Sequence, residues 1–427
     1  MKKVGFYSLG CKVNTTETFS IMSLFLAAGY EINDFDSLCD VYVINTCCVT
    51  AMSGKKSRQV ISRAKKNNPN AIVVAMGCYS QTNPLEIAES TDVDIIIGTT
   101  DRKDIINILE RFEIQSSKGL SFVRKTSPDD KFEEISSHQV IGRTRASIKI
   151  QDGCNAFCSY CIIPYARGRS RSRSFDSIID EARELVARGF SDISLIAIHL
   201  ASYGKDLSEG KSLVDILEVI DNIPGIRRIR LGSLSPSIIT NKFINQISQF
   251  KNFCRHFHIS LQSGCDTTLK QMNRRYSMSD FFDCLNLIKE LPDVSVTTDI
   301  IVGFPGETEE HFAESLANIS KCGFSHIHIF PYSVREGTVA ANMPNQVDEA
   351  TKKLRVKRLT EVANRSKHEF LSQYIGSTLE VLFEENNEGL TQNYLRVHAD
   401  DFTRGEGLYT VLVTDIGDDM LIGRVVD

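Results

Sequence analysis

Three cysteines within eight residues, Cys154-Asn-Ala-Phe-Cys158-Ser-Tyr-Cys161, form the densest set of soft metal ligands in the chain. The C-x3-C-x2-C spacing offers three thiolates to one centre, enough to hold three irons of a 4Fe-4S cluster and leave the fourth without a protein ligand. An iron left open in this way is a place for substrate to bind. Structural zinc is the competing chemistry, but such zinc is closed by four ligands, and the C-x2-C pairing does not recur here.

A second set is spread over the first eighty residues. Cys11, Cys47 and Cys78 each follow a short β-rich run: Val4 to Leu9, Val41 to Asn45 and Ala71 to Met76. Parallel strands would bring the three thiolates to one sheet edge, the edge where open α/β sheets bind ligands. A second cluster with three protein ligands is therefore expected. Cys48 stands beside Cys47 and is the alternative ligand there. Cys39, Cys254, Cys265, Cys284 and Cys322 read as core residues, a common fate of free cysteine. Lys2-Lys3 before an apolar stretch resembles an export signal, yet Val4 to Leu9 falls short of the roughly 7–15 residues of an export core. The expected compartment is the cytoplasm, where twelve cysteines serve as ligands and core rather than as disulfides.

Charge is uneven. The formal net charge is -5, but Lys55 to Lys66 holds six basic residues and no acid, and Arg143 to Arg173 holds seven against Asp152 alone. A polyanion would be met by these two segments. Arg167, Arg169, Arg171 and Arg173 alternate, so an extended backbone would point all four one way as a phosphate-tracking, RNA-binding strip. His256 and His258, and His326 and His328, share the same period of two; with no carboxylate at matching spacing they read as structural residues of strands.

The elements that must position these groups follow from periodicity. Residues 1–112 alternate strands with helices, the pattern of an open, mostly parallel sheet. Residues 113–142 turn polar, as in Ser116-Ser117, Pro128-Asp129-Asp130 and Ser136-Ser137, and read as a linker or irregular lobe. Six strand-helix units over 143–345 predict a partial (β/α)6 barrel with its chemistry at the C-terminal strand ends. A helical connector spans 346–375, and the short strands of 376–427 predict a small β-barrel. The expected class is thus α/β: an N-terminal open parallel α/β sheet, a central barrel and a C-terminal β-barrel. No apolar run approaches the ~20 residues of a membrane span.

The C-x3-C-x2-C motif after the first barrel strand resembles the radical-SAM superfamily. Ser260-Leu261-Gln262-Ser263-Gly264 and Gly303-Phe304-Pro305-Gly306-Glu307 fit it, each closing a strand with glycines that admit a ligand close to the backbone. The resemblance implies that S-adenosylmethionine chelates the open iron and is cleaved to a 5'-deoxyadenosyl radical, with Gln262, Gly303 and Tyr332 among its contacts. The two triads in this order resemble the radical-SAM methylthiotransferases over nearly the whole chain, the tail being similar to their RNA-binding TRAM module. Leu9-Gly10-Cys11-Lys12-Val13-Asn14, Ser57-Arg58-Gln59, Ile198-His199-Leu200-Ala201-Ser202-Tyr203-Gly204 and Phe330-Pro331-Tyr332-Ser333 look most like the branch acting on N6-threonylcarbamoyladenosine in tRNA. Two positions depart from that pattern: Ala197 where the family has Gly, and Cys48 where the branch has Thr. The implied activity is insertion of a methylthio group at C2 of that nucleoside next to the anticodon, using two 4Fe-4S clusters, S-adenosylmethionine, tRNA, an external electron donor and a sulfur source. The alternatives are the same chemistry on isopentenyladenosine tRNA or a ribosomal-protein aspartate, and a non-catalytic metal-cluster RNA-binding protein.

Overall fold

Val41–Thr46 is buried along its whole length, which is why Val41 to Ile44 read as an unbroken apolar run rather than as an alternating strand. It lies inside a six-stranded parallel sheet of β1 (Lys3–Ser8), β2 (Glu31–Asn33), β3 (Val41–Thr46), β4 (Ile72–Gly77), β5 (Ile95–Ile96) and β6 (Leu120–Ser121), in the order β2-β1-β3-β4-β5-β6. The computed structural model describes residues 1–115, 119–135, 145–385, 387–400, 402 and 405–426. Ser116, Ser117, Ser136, Ser137 and Arg143 of the expected linker and basic segment lie outside the described residues. Within 113–142 the chain supplies β6, a two-residue strand too short to leave a periodic signal.

The second unit is the partial barrel. Its strands are β7 (Arg145–Asp152), the short antiparallel β8 (Arg171–Ser172), β9 (Asp192–Ala197), β10 (Arg228–Leu231), β11 (His256–His258), β12 (Ser295–Val302) and β13 (His326–Pro331). Two runs, β10-β9-β7-β8 and β11-β12-β13, are joined by parallel bridges at Ile229↔Phe253 and Leu234↔Ile259. Alternation decides the two faces. Ile148, Leu195, Phe257, Val296, Ile300 and Ile327 are buried in the apolar core with the surrounding helices. Residues one position away, including Lys149, Gln151, His258, Thr297 and Asp299, lie on the inner face.

Helix Glu349–Ser372 leads to a closed barrel of β14 (Thr378–Glu385), β15 (Glu388–Thr391), β16 (Arg396–His398), β17 (Gly407–Ile416) and β18 (Leu421–Val425) around Val381, Phe383, Val397 and Val411. The turn between β15 and β16 seats on the N-terminal ends of the central strands. There Arg228 donates to the Leu390 carbonyl at 2.8 Å, Arg230 donates to those of Gln392 and Thr391 at 3.0 and 3.1 Å, and Tyr394 stacks on His256 with ring centroids 4.7 Å apart. Among the described residues no helix is long and apolar enough to cross a membrane.

Candidate iron-sulfur centres

The loop after β7 turns at Gly153, whose φ of +68° and approach to the Arg169 carbonyl leave no room for a Cβ. Backbone bonds then pin it: Cys154 N–H donates to the Gly168 carbonyl at 3.1 Å, Ser159 N–H to that of Met272 at 3.1 Å, and Cys161 N–H to that of Cys158 at 2.9 Å. Cys154, Cys158 and Cys161 are all half-buried. Burial pushes the Cys154 thiol up and that of Cys161 to about 12, each also feeling a neighbouring thiol of the triad. Arg274 brings the compensating charge, with Nη1 3.4 Å from Cys158 Sγ and Nη2 donating to the Ser260 carbonyl at 2.8 Å. Three half-buried thiols on one loop, with a cation beside Cys158, fit a cluster with one open iron.

Two of the residues expected to touch S-adenosylmethionine end strand runs of the same barrel. Gln262 has φ +73° and donates its N–H to the Asp299 carbonyl at 2.8 Å. Gly303 has φ +72°, an added Cβ would lie 2.4 Å from Lys352 Cγ, and its N–H is held by Glu307 Oε2 at 2.6 Å. Tyr332 is buried with Phe304, Met272 and Ala340, and Tyr160 of the cluster loop packs on that group. Ala197 ends β9 opposite Gln151, where a register shift in β7 lies alongside it.

In the N-terminal sheet the three other cysteines meet at the C-terminal edge of β1, β3 and β4. Cys11 caps helix Lys12–Ala27, Cys47 follows β3, and Cys78 opens helix Cys78–Thr82. Two glycines clear the space: a Cβ on Gly10 would lie 2.7 Å from Cys47 Sγ, and one on Gly77 would lie 2.3 Å from Asn45 Oδ1. Asn14 ties the edge together, donating from Nδ2 to the Leu9 and Thr46 carbonyls at 2.9 and 3.1 Å. Its Oδ1 lies 3.9 Å from Cys11 Sγ and 4.0 Å from Cys78 Sγ. A hydrogen bond from Cys48, and then the Arg167 charge, hold the Cys78 thiol down at about 6, while that bond and burial raise Cys48 well above the usual range. Cys47 is in electrostatic reach of both Cys11 and Cys78. These thiols, too, fit a cluster with an open iron. Cys39, Cys254, Cys265, Cys284 and Cys322 are buried.

The arginine strip is corrected by the structure. Arg167 ends helix Ile163–Arg167, Gly168 turns the chain at φ +73°, and only Arg171–Ser172 is strand, so the four residues do not share an extended face. Arg167, Arg171 and Arg173 are buried and only Arg169 is exposed, its guanidinium 4.9 Å from the Phe157 ring centroid. Arg173 pairs with Glu181. All five Arg167 N–H donors are used: Nε to Cys78 Sγ at 3.2 Å, Nη1 to Glu17 at 2.7 Å and Asp152 at 3.0 Å, Nη2 to Asn14 at 2.7 Å and Glu17 at 2.9 Å. Lys149 bridges Glu17 and Asp152 at 2.6 and 2.7 Å, Arg102 adds to Glu17 at 2.8 Å and Arg171 to Asp152 at 3.0 Å. Against the cost of burial, Arg102 and then Arg167 hold the Glu17 carboxyl well below its usual range, and Lys149 and then Arg167 do the same for Asp152. Residues read as phosphate contacts thus bind one domain to the next, and Arg167 runs from a cysteine of one triad to the strand that leads into the other.

Sequence reasoning also missed a carboxylate. Asp299, 41 residues from His258, lies 3.0 Å from its Nε2 because β11 and β12 are neighbours, so two of the histidines set aside as strand residues have an acid beside them.

Residues 148–319 match the Radical SAM superfamily, and residues 3–98 match the uncharacterized protein family UPF0004. The fold is similar to that of the radical S-adenosylmethionine methyltransferase TsrM from Kitasatospora setae, with a TM-score of 0.57 at 15% identity over 80% of this chain and 74% of that one. A partial barrel with an open three-cysteine loop after its first strand makes this a radical-SAM enzyme, with S-adenosylmethionine and a 4Fe-4S cluster as the cofactors of that superfamily. The Bacillus subtilis (strain 168) threonylcarbamoyladenosine tRNA methylthiotransferase MtaB is 44% identical over 409 residues, covering 93% of this chain and 90% of the relative. Its Aquifex aeolicus (strain VF5) namesake is 36% identical over 96% of this chain and 100% of the relative. The tRNA-2-methylthio-N(6)-dimethylallyladenosine synthase of Clostridium tetani (strain Massachusetts / E88) is 35% identical over 98% and 91%. The chain belongs to the radical-SAM tRNA methylthiotransferase family.

Proposed function

We propose that this enzyme adds a methylthio group to C2 of N6-threonylcarbamoyladenosine next to the anticodon of tRNA. The carrying observation is the 44% identity, over nearly the full length of both chains, to a relative named for that nucleoside, against 35% to one named for dimethylallyladenosine. Cys154, Cys158 and Cys161 would hold the cluster that binds S-adenosylmethionine, and Cys11, Cys47 and Cys78 a second cluster. When bound, the first supplies the electron that cleaves S-adenosylmethionine and the second a site for sulfur, which requires an external electron donor and a sulfur source.

The chain's own residues give each thiolate set a defined electrostatic setting. Arg274 places a guanidinium against Cys158, and Arg167 stabilises thiolate character at Cys78. In this reading Cys48 acts through its hydrogen bond to Cys78. The Glu17, Lys149, Asp152 and Arg167 network fixes the N-terminal sheet against β7, so the separation of the two centres is set by buried ion pairs rather than by a hinge. The basic helix Ala51–Asn67 displays Lys55, Lys56 and Lys66 to solvent and, with the C-terminal barrel, would meet the tRNA backbone. The enzyme would work in the cytoplasm, where tRNA is modified.

Nucleoside analysis of tRNA from cells with and without the protein tests this directly, paired with reconstituted enzyme given three substrates. The expected result is methylthio transfer to tRNA bearing threonylcarbamoyladenosine and none to tRNA bearing isopentenyladenosine, because the two N6 substituents differ in charge and polarity. Transfer to a ribosomal protein with every tRNA untouched would overturn the substrate assignment.

A further inference from the structure

The inner face of the last three barrel strands carries a polar cluster to which the two-triad chemistry assigns no role. Phe257, Val296, Ile300 and Ile327 face the apolar core. Their neighbours His258, Thr297, Asp299, His326 and His328 therefore face the barrel interior. Asp299 sits directly across the strand pair from His328, and His258 directly across from Thr297. One ligand atom from each of His258, Asp299 and His328 lies within 4.8 Å of the others, and His258 Nε2 is 3.0 Å from Asp299 Oδ2.

We propose that His258, Asp299 and His328 form a third metal site, for a single divalent first-row transition-metal ion such as zinc or iron(II). Two imidazoles and one carboxylate are the donor set that such ions take with coordination positions left open. The spacing needs a small closure, since donors around one ion at about 2.0–2.2 Å lie within roughly 3–4 Å of one another. His328 is the exposed member and has room to make it. The second shell is also present. Thr297 Oγ1 lies 2.9 Å from His258 Nδ1 and 3.0 Å from His256 Nε2. A hydroxyl has one proton, so when Thr297 donates to His256 it accepts from His258 Nδ1–H, which leaves the His258 Nε2 lone pair aimed at the carboxylate. A cation between that lone pair and Asp299 resolves the contact.

Among the described residues Asp299 has His258 as its one ion-pair partner and no Lys or Arg, so its charge is uncompensated whenever that ring is neutral.

The test uses enzyme with both iron-sulfur clusters reconstituted, so that the cluster cysteines are occupied. The protein is equilibrated with zinc buffered near a free concentration of about 1 μM, desalted and analysed for zinc and iron together. The expected result is about one zinc per chain with unchanged iron, falling below about 0.2 in His328→Ala and in the isosteric Asp299→Asn, both of which keep the cluster absorption of wild type. His328→Ala removes an exposed ring, so its folding is not in question. The proposal fails if wild type retains no zinc, if zinc enters only as iron leaves, or if both variants bind as much as wild type.

Discussion

Arg167→Met removes five donor contacts and leaves an unbranched apolar side chain in their place. Glu17 then keeps Arg102 and Lys149, and Asp152 keeps Lys149 and Arg171, so neither carboxylate is stranded. Removing one partner of a buried pair costs about 3–5 kcal/mol, and the surviving cations put this case at the lower end, about 3 kcal/mol. At roughly 2–4 °C per kcal/mol for a unit of about 150–250 residues, the unfolding midpoint falls by about 6–12 °C. Anaerobic thermal unfolding of cluster-loaded protein, followed by circular dichroism at neutral pH, reads that shift. Arg167→Lys keeps the charge but presents three donors from one nitrogen, too few and too compact to span Cys78, Asn14, Glu17 and Asp152, so it recovers only part of the loss. The sign with pH is fixed by the depressed carboxyls. Their contribution is complete above the unfolded carboxylate range of about 4 and is lost as pH falls toward the lower folded values, so the gap between wild type and Arg167→Met narrows only below about pH 4. A methionine variant that melts within about 1 °C of wild type, or equal effects of methionine and lysine, refutes the reasoning.

The triads should be separable: alanine at Cys154, Cys158 or Cys161 abolishes S-adenosylmethionine cleavage, whereas alanine at Cys11, Cys47 or Cys78 spares cleavage and stops methylthio transfer. Normal product from Cys78→Ala would sink the second cluster. Cys48→Ala keeps full iron by elemental analysis but loses the hydrogen bond that lowers the Cys78 thiol; a loss of about half the iron, four of roughly eight per chain, would make Cys48 a ligand instead. Gly77→Ala forces a Cβ against Asn45 at a φ of +99°, so the second cluster should assemble poorly while the first assembles normally, measured as iron content and S-adenosylmethionine cleavage. Lys55→Gln with Lys56→Gln should weaken tRNA binding and reduce the slope of log affinity against log salt by up to about 2; an unchanged slope removes that helix from the interface.

The two cysteine triads were legible because each is marked locally. Eight residues put Cys154, Cys158 and Cys161 on one loop, and the strand endings of the first eighty residues put Cys11, Cys47 and Cys78 at one sheet edge. Larger strands were visible as apolar runs, but β2, β6 and β15 are two to four residues long and carry no periodic signal. Charge was the harder reading, since a sequence shows where a charge is and not what faces it. An alternating arginine run looks the same whether it meets phosphate or carboxylate, and the deciding residues, Glu17 and Asp152, sit 150 and 15 positions from Arg167. The same blindness hid Asp299 from His258, because the pair is made by strand order. Deleting residues 376–427 to test tRNA binding illustrates the consequence. On sequence grounds the tail lies outside both cysteine-bearing domains and is dispensable for S-adenosylmethionine cleavage. In the fold, its removal takes the Leu390, Thr391 and Gln392 carbonyls from Arg228 and Arg230, whose guanidinium groups are buried on the central barrel. The cut also exposes to water the barrel face that the tail covers, including the His256 ring on which Tyr394 stacks. The truncated enzyme should therefore lose barrel stability together with tRNA affinity, whereas surface changes such as those at Lys55 and Lys56 isolate the tRNA effect.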